Sequence, residues 1–274
     1  MNPIDLEAHV SRSAALEVSD LRWDDIPKVP IPAAALRTLR YMQDIETHTI
    51  VYLRELLSTR ALDDPAVATF LACWFYEETL HGRILARFLE AVGQPVTARP
   101  RSVVSLGERA HALGIALVSK LWDNFVAVHM TWGAIAELTT LAGYQRLALL
   151  ADHPVLSDLL GRIVRDESRH FAFYFKQAQQ RLQSPRIARV AREIVDRFWT
   201  PVGSGVQPAA ETRFVAHYLF AGPAGALAAS KVDETIRRLP GFADVPLLTR
   251  WLDRHAAGGQ APPLRATASA LSPT

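Results

Sequence analysis

Glu78 and His81 in WFYEETLHGR, and Glu167 and His170 in VRDESRHFAF, form two Glu-x-x-His pairs 89 residues apart. Glu46 precedes the first pair by 32 residues and Glu137 precedes the second by 30, so a unit of two glutamates and a histidine recurs at an interval of about ninety residues. A chain with nine histidines and this glutamate content contains about 0.4 such pairs by chance if positions are independent. Two pairs in one repeated arrangement therefore need an explanation. Residues three apart on an α-helix share a face, so each pair can present a carboxylate and an imidazole to the same cation. Four carboxylates balance two divalent cations, and an oxygen-rich set with two nitrogens suits iron or manganese better than zinc.

In such a site Glu46 and Glu137 are terminal ligands, Glu78 and Glu167 are bridges, and His81 and His170 give one nitrogen to each metal. Glu77 and Asp166 stand directly ahead of the bridging glutamates. A ligating imidazole usually passes its second N–H to a carboxylate, and the pseudo-twofold relation of the two units assigns Asp166 to His81 and Glu77 to His170. Met130, Gly133, Glu137, Thr140 and Tyr144 follow one helical stripe. Gly133 is expected to leave room for oxygen or substrate one turn before the ligand. The Thr140 hydroxyl, one turn after it, is placed either to hydrogen-bond a metal-bound peroxo species or to bond back to its own helix. Trp74, Phe75, Phe171, Phe173 and Tyr174 read as core first and cavity lining second. His48 and His129 have no glutamate at ligand spacing and read as ordinary polar residues, and Cys73, between Ala72 and Trp74, reads as buried core.

The elements that must position these residues are helices. Apolar residues recur at three and four, Ala, Leu, Arg and Glu are abundant, and no segment alternates with period two. A first helix is expected from about Pro32 to Arg60, and a second from the capping signal Asp63-Asp64-Pro65 to the stop at Gly93-Gln94-Pro95. A long connection through Pro100 and Gly107 has room for a helix of its own. A third helix then runs from about Lys120 to Leu150 and a fourth from Pro154 to Gln183. At a rise of about 1.5 Å per residue, an interval of about thirty residues carries the chain up one helix and down the next to the same height, which sets the four glutamates level. Two helical hairpins joined by one long crossover are the connectivity of ferritin-like bundles. The expected fold is all-α: a single ferritin-like di-iron domain over residues 1–256, with a four-helix core at about 32–184, extra helices at about 185–256, and a disordered Ala/Pro/Gly/Ser-rich tail at 257–274.

Bulk composition narrows the function further. The chain is 49% hydrophobic and 21% charged, which is the balance of a soluble globular protein with a sizeable core. One cysteine allows no internal disulfide and no CxxC metal centre, and fits a reducing compartment. The N-terminus has acidic residues and no apolar h-region, so a cytoplasmic location is expected. The most apolar stretch, Leu113 to Tyr144, contains Lys120, Asp123 and Glu137, so no transmembrane segment is expected. A net charge of +2 is far too small for a nucleic-acid binder. Arg162, Arg165 and Arg169 share helical spacing, with Arg181, Arg186, Arg189 and Arg192 beyond, and read as a solvated face or as a dock for an acidic carrier or substrate. No GxSxG, P-loop or GxGxxG motif is present.

WFYEETLHGRIL and LSDLLGRIVRDESRH resemble the two metal-binding helices of the soluble acyl-ACP desaturases, whose motifs are EENRHG and DEKRH. Asp44-Ile-Glu46-Thr-His-Thr-Ile-Val-Tyr52 is similar to their first ligand helix, and Glu137-Leu-Thr-Thr140 repeats their threonine three residues after the third glutamate. The resemblance covers roughly residues 35 to 200. It implies a homodimer with two iron ions and O2 as co-substrate, while the ligand set by itself also admits a manganese–iron pair. Two electrons would come from an external ferredoxin-type donor, and the substrate would be an acyl chain on acyl carrier protein or another carrier. Hydrogen would be removed through a high-valent iron-oxo species formed where water is excluded. Trp23 is the N-terminal aromatic that could relay electrons, although it stands away from the family position. Hydroxylation or N-oxygenation of another small molecule is the nearest alternative, but aminobenzoate-type N-oxygenases place a histidine where this chain has Ile163. A bacterioferritin-like ferroxidase shares the ligand set but not the chain length. The lone cysteine leaves no rubredoxin domain for a rubrerythrin-like peroxidase. A metal-free helical scaffold would need the repeated ligands for nothing.

Overall fold

The structure is a computed structural model, described over residues 6–56, 59–94, 96 and 124–256. Among these residues the chain forms nine α-helices and no strand. They are α1 (Leu6–Arg12), α2 (Ala33–Leu56), α3 (Pro65–Ala91), α4 (Phe125–Ala151), α5 (Pro154–Arg181), α6 (Pro185–Phe198), α7 (Ala209–Phe220), α8 (Gly222–Ile236) and α9 (Leu247–His255), with 3-10 turns at Trp23–Lys28 and Arg60–Asp63. Helices α2 to α5 build an all-α ferritin-like four-helix bundle from two hairpins, α2–α3 and α4–α5. The connection expected to hold a further helix, the expected start of the third helix at Lys120 and the tail from residue 257 lie outside the described residues.

The hairpin turns are written in their capping residues. The Asp64 carboxylate accepts from the Ala66 and Val67 N–H groups, and Pro65 occupies the first helical position, where its missing N–H costs nothing. Between α4 and α5, Asp152 takes the left-handed conformation at φ 46°, and the His153 ring accepts from the Leu156 N–H ahead of Pro154. Helix α4 is apolar on nearly every side because α2 and α5 of the bundle and the outer helices α6, α7 and α8 all pack against it. It has the length and apolarity of a membrane span, but most of its apolar window is buried inside the protein, as in the core helix of a globular bundle.

Two outer layers fasten the bundle. The N-terminal strap, α1 and the first 3-10 turn, lies over α3 and α5. His9 sits against Phe70 and Phe173, the His153 ring meets the Ile26 carbonyl at 3.2 Å, and Arg87 stacks on the Trp23 ring. At the other end, Arg37 on α2 forms a two-pronged pair with Glu211 on α7, and Asp233 on α8 accepts from the Leu248 and Thr249 N–H groups of α9. The segment expected as one or two helices over Ala210–Leu239 is two, divided at Gly222, whose φ of 68° a helix interior does not allow.

The arginine face read from spacing is not one surface. Arg162 is buried, bonding to both Asp20 carboxylate oxygens on the strap and to Asp158, and Arg169 turns toward the bundle, while Arg165 is exposed. Periodicity could not show that the strap folds over this side of α5. Cys73 is half-buried, more open than expected. Trp23 donates its indole N–H to the Val18 carbonyl and packs under Arg87.

Candidate metal centre

The four bundle helices each present part of one cluster. Glu46 comes from α2, Glu77, Glu78 and His81 from α3, Glu137 and Thr140 from α4, and Asp166, Glu167 and His170 from α5. All of these except the half-buried Thr140 are buried. Six of them form two overlapping groups, each able to hold a cation, with ligand atoms within 4.8 Å of one another. One group is Glu46, Glu78, His81 and Glu167; the other is Glu78, Glu137, Glu167 and His170. Glu78 and Glu167 belong to both, and each group adds one further glutamate and one histidine.

The imidazoles point their Nδ1 atoms inward. His81 Nδ1 lies 3.4 Å from Glu167 Oε1 and 3.9 Å from Glu46 Oε2, and His170 Nδ1 lies 3.1 Å from Glu78 Oε1 and 3.8 Å from Glu137 Oε2. Their Nε2 atoms face outward. His81 Nε2 is 3.1 Å from Asp166 Oδ2 and His170 Nε2 is 2.6 Å from Glu77 Oε2, so each hairpin's outer acid meets the other hairpin's histidine. Arg169 closes this outer ring, donating to Asp166 Oδ1 and to Glu77 Oε1 at 2.6 Å each.

Electrostatics mark the inner cluster as waiting for positive charge. Burial, reinforced by neighbouring carboxylates, pushes the Glu46 and Glu137 carboxyls well above the ordinary range and raises Glu78 to about 7. Burial opposes ionisation of Glu167 too, but the hydrogen bond with His170 and the nearby His81 imidazole outweigh it and hold that carboxyl low. For His81, burial is outweighed by the hydrogen bond to Asp166 and by the adjacent Glu167 carboxylate, which raise it to about 9. Glu46 Oε2, Glu78 Oε1, Glu167 Oε1 and His81 Nδ1 are buried with no hydrogen-bond partner. Buried polar atoms are rarely left so, and these four, one from each member of the Glu46, Glu78, His81 and Glu167 group, fit a bound cation that would use those lone pairs.

Two residues reach the terminal glutamates from the side. The Trp74 indole N–H donates to Glu137 Oε1 at 2.9 Å, and the Tyr144 hydroxyl makes a short hydrogen bond to Glu46 Oε1. Trp74 was expected as core; its place four residues before Glu78 on the same helical face was the available signal. Arg169 carried a comparable signal, standing three residues after Asp166. Gly133 lines a cavity beside the cluster, although a side chain there would overlap the Tyr174 ring. His129 is buried rather than an ordinary polar residue, and His48 lines a cavity.

That cavity has a volume of about 280 Å³ and is bounded by Glu46, Glu137, Thr140, Trp132 and the segment Trp199–Ser204. A smaller apolar chamber of about 70 Å³ touches the same Glu46 and Thr140 and extends between α2, α4 and α7 to Phe220 and Leu248. The covering segment is held by the Tyr41 hydroxyl on the Val202 carbonyl, 2.7 Å, and by Gln207 on Asp44, 2.9 Å. Among the described residues no hydrogen bond uses the Thr140 hydroxyl, whereas Thr139 bonds back to the Ala136 carbonyl at 2.9 Å. Thr140 therefore has its hydroxyl free where both chambers meet the cluster.

The sequence pattern of a family described as fatty acid desaturase matches residues 47–195, a span that holds five of the six cluster residues. No curated protein and no solved structure matches the chain.

Proposed function

Because the chain belongs to the fatty acid desaturase family, we propose that it is an O2-dependent di-iron oxidase that introduces a double bond into an apolar acyl chain. The observation that carries this reading is the buried cluster of four glutamates and two histidines, shared between two cation positions and opening onto a largely apolar cavity at Thr140. In this reading Glu46 and Glu137 are terminal ligands, Glu78 and Glu167 bridge, and His81 and His170 each hold one metal. Bound iron, or a manganese–iron pair, would supply reduction of O2 and the oxidising power needed for an unactivated C–H bond.

The chain's own residues do the rest. Asp166 and Glu77 fix the imidazole rings, and Arg169 fixes both acids. Trp74 and Tyr144 steer the terminal carboxylates. Thr140 offers a hydrogen bond at the point where substrate meets the cluster. The Trp199–Ser204 segment, with Trp132, keeps bulk water from it. The balance is one O2, two electrons from an external ferredoxin-type donor, two protons and two hydrogens from adjacent carbons, giving two waters and a C=C bond.

Arg165, Arg186 and Arg189 are exposed and suit an acidic carrier such as acyl carrier protein. The lone cysteine suits the reducing cytoplasm, and a homodimer follows from the resemblance. The test is metal analysis of purified protein, then incubation with reductant, O2 and acyl-carrier, acyl-CoA and free-acid substrates. Two metals per chain and a product lighter by two hydrogens are expected. A product heavier by one oxygen would make it a hydroxylase, and folded protein without iron or manganese would end the reading. Size-exclusion mass tests the dimer.

A further inference from the structure

Tyr52, on α2 six residues after Glu46, lies with its phenol oxygen 3.1 Å from Nδ1 of His129 on α4. His129 is 6% exposed, and burial pushes its imidazole down to about 4. The ring is therefore neutral at pH 7, with a lone pair available on Nδ1 for the phenol O–H. The remaining ring hydrogen then sits on Nε2, which is buried and has no hydrogen-bond partner among the described residues. Trp74 joins this pair to the cluster: its ring meets Tyr52 edge-on at 6.1 Å between centroids, and its N–H bonds to Glu137. One indole thus spans the distance from a candidate metal ligand to a phenol paired with a base.

We propose that Tyr52 and His129 form a proton-coupled redox site that accepts one-electron oxidising equivalents from the metal centre through Trp74. The oxidant is the dioxygen-oxidised di-metal centre, so the proposal rests on the reading of the cluster given above. In the forward step one electron leaves the Tyr52 ring by way of Trp74 and reduces the metal centre by one electron. The phenol O–H bond breaks and its proton moves to His129 Nδ1, leaving a neutral tyrosyl and an imidazolium. In the return step the external reductant gives one electron to the tyrosyl and the proton comes back from Nδ1.

Geometry favours this over direct ring oxidation. A phenol oxidised without proton loss is a cation in an apolar setting, which is costly, and a base already hydrogen-bonded removes that charge without diffusion. The weak basicity of the buried imidazole makes the proton's return favourable once the ring is reduced. The pair gives the centre an outlet for oxidising equivalents when no substrate fills the cavity, which Tyr52 and Trp74 both line.

The test is freeze-quench electron paramagnetic resonance on iron-loaded protein, reduced and mixed with O2 without substrate, with bound iron measured on the same samples. A tyrosyl signal is expected that is absent from Tyr52→Phe and about tenfold weaker in His129→Leu, the loss that follows from removing one hydrogen bond's worth of assistance. Bound iron without a tyrosyl signal, or a signal that survives Tyr52→Phe, overturns the proposal. A metal-free arm separates its failure from that of the di-iron reading. Metal-free protein carrying Tyr76→Phe, which removes a tyrosine 47% exposed, is oxidised by a flash-generated ruthenium(III) complex. Tyrosyl formation is expected to slow about tenfold in His129→Leu and to lose its solvent isotope effect. Unchanged rates refute the pair whether or not the cluster binds iron.

Discussion

Arg169→Met isolates the outer ring of the candidate centre. The substitution keeps most of the aliphatic stem and removes two 2.6 Å charge-assisted contacts, one to Glu77 and one to Asp166. Each such bond contributes about 1.5–3 kcal/mol. The Arg169 side chain keeps 22% of its surface in water, so the lower end applies to both, and the expected loss in metal-free stability is about 3 kcal/mol. Glu77 is nearly inaccessible at 1%, and without the guanidinium it must draw harder on His170. Freed outer acids orient the imidazoles less tightly, and metal affinity should fall about 10- to 100-fold. Urea unfolding of metal-free protein reads the first quantity, and chelator competition reads the second. Arg169→Lys, able to reach one acid at a time, should recover about half of the stability. If the Met variant unfolds within about 0.5 kcal/mol of wild type and holds iron equally well, the outer ring is not what fixes the histidines.

Three further outcomes follow from single residues. The unfolded chain protonates His129 below about 6.5, whereas the folded protein does so only below about 4, so acid favours unfolding across that window; wild type should lose about 3 kcal/mol more than His129→Gln between pH 8 and pH 4, and a pH-independent difference would show that the ring is hydrated. Gly133→Ala should destabilise by about 1–3 kcal/mol, because the methyl overlaps Tyr174; the double variant with Tyr174→Leu should cost less than the sum of the singles, and strict additivity in the mutant cycle would contradict the overlap. Thr140→Val should keep its metal while O2 consumption per product rises, whereas Thr139→Val, whose hydroxyl is already bonded to Ala136, should leave that ratio unchanged; equal behaviour of the two would remove Thr140 from the chemistry.

What could be read from the chain and what could not divide along a physical line. Glu46, Glu78, His81, Glu137, Glu167 and His170 were legible as a group because helix geometry converts spacing into position, and the hairpin ends were legible in Asp64-Pro65 and His153-Pro154 because caps act locally. Glu77 and Asp166 were placed beside the opposite hairpin's histidine by the symmetry of the two units. Contacts set by how one helix rotates against another were not legible. Trp74 reaches Glu137 across α3 and α4, and Tyr174 packs against Gly133 from α5. Arg162 looks exposed in any helical projection until Asp20, on a strap with little regular structure, folds across it. Short segments such as α1 are too brief to be stable alone and take their shape from docking, so periodicity carries little about them.

The two hairpins touch along most of their length internally, but they meet each other much more sparsely. Each contributes one glutamate and one Glu-x-x-His to a cluster that neither completes alone. A cation pair bound there would act as a fastener between two preassembled halves, and its capture would report their docking rather than the folding of either. Chelation would then unlatch the halves before it melted them: amide protons facing the seam would exchange first, while those within each hairpin stayed protected. Loading and final assembly would be a single event, so the protein would acquire its rigidity at the moment it acquires its reactivity.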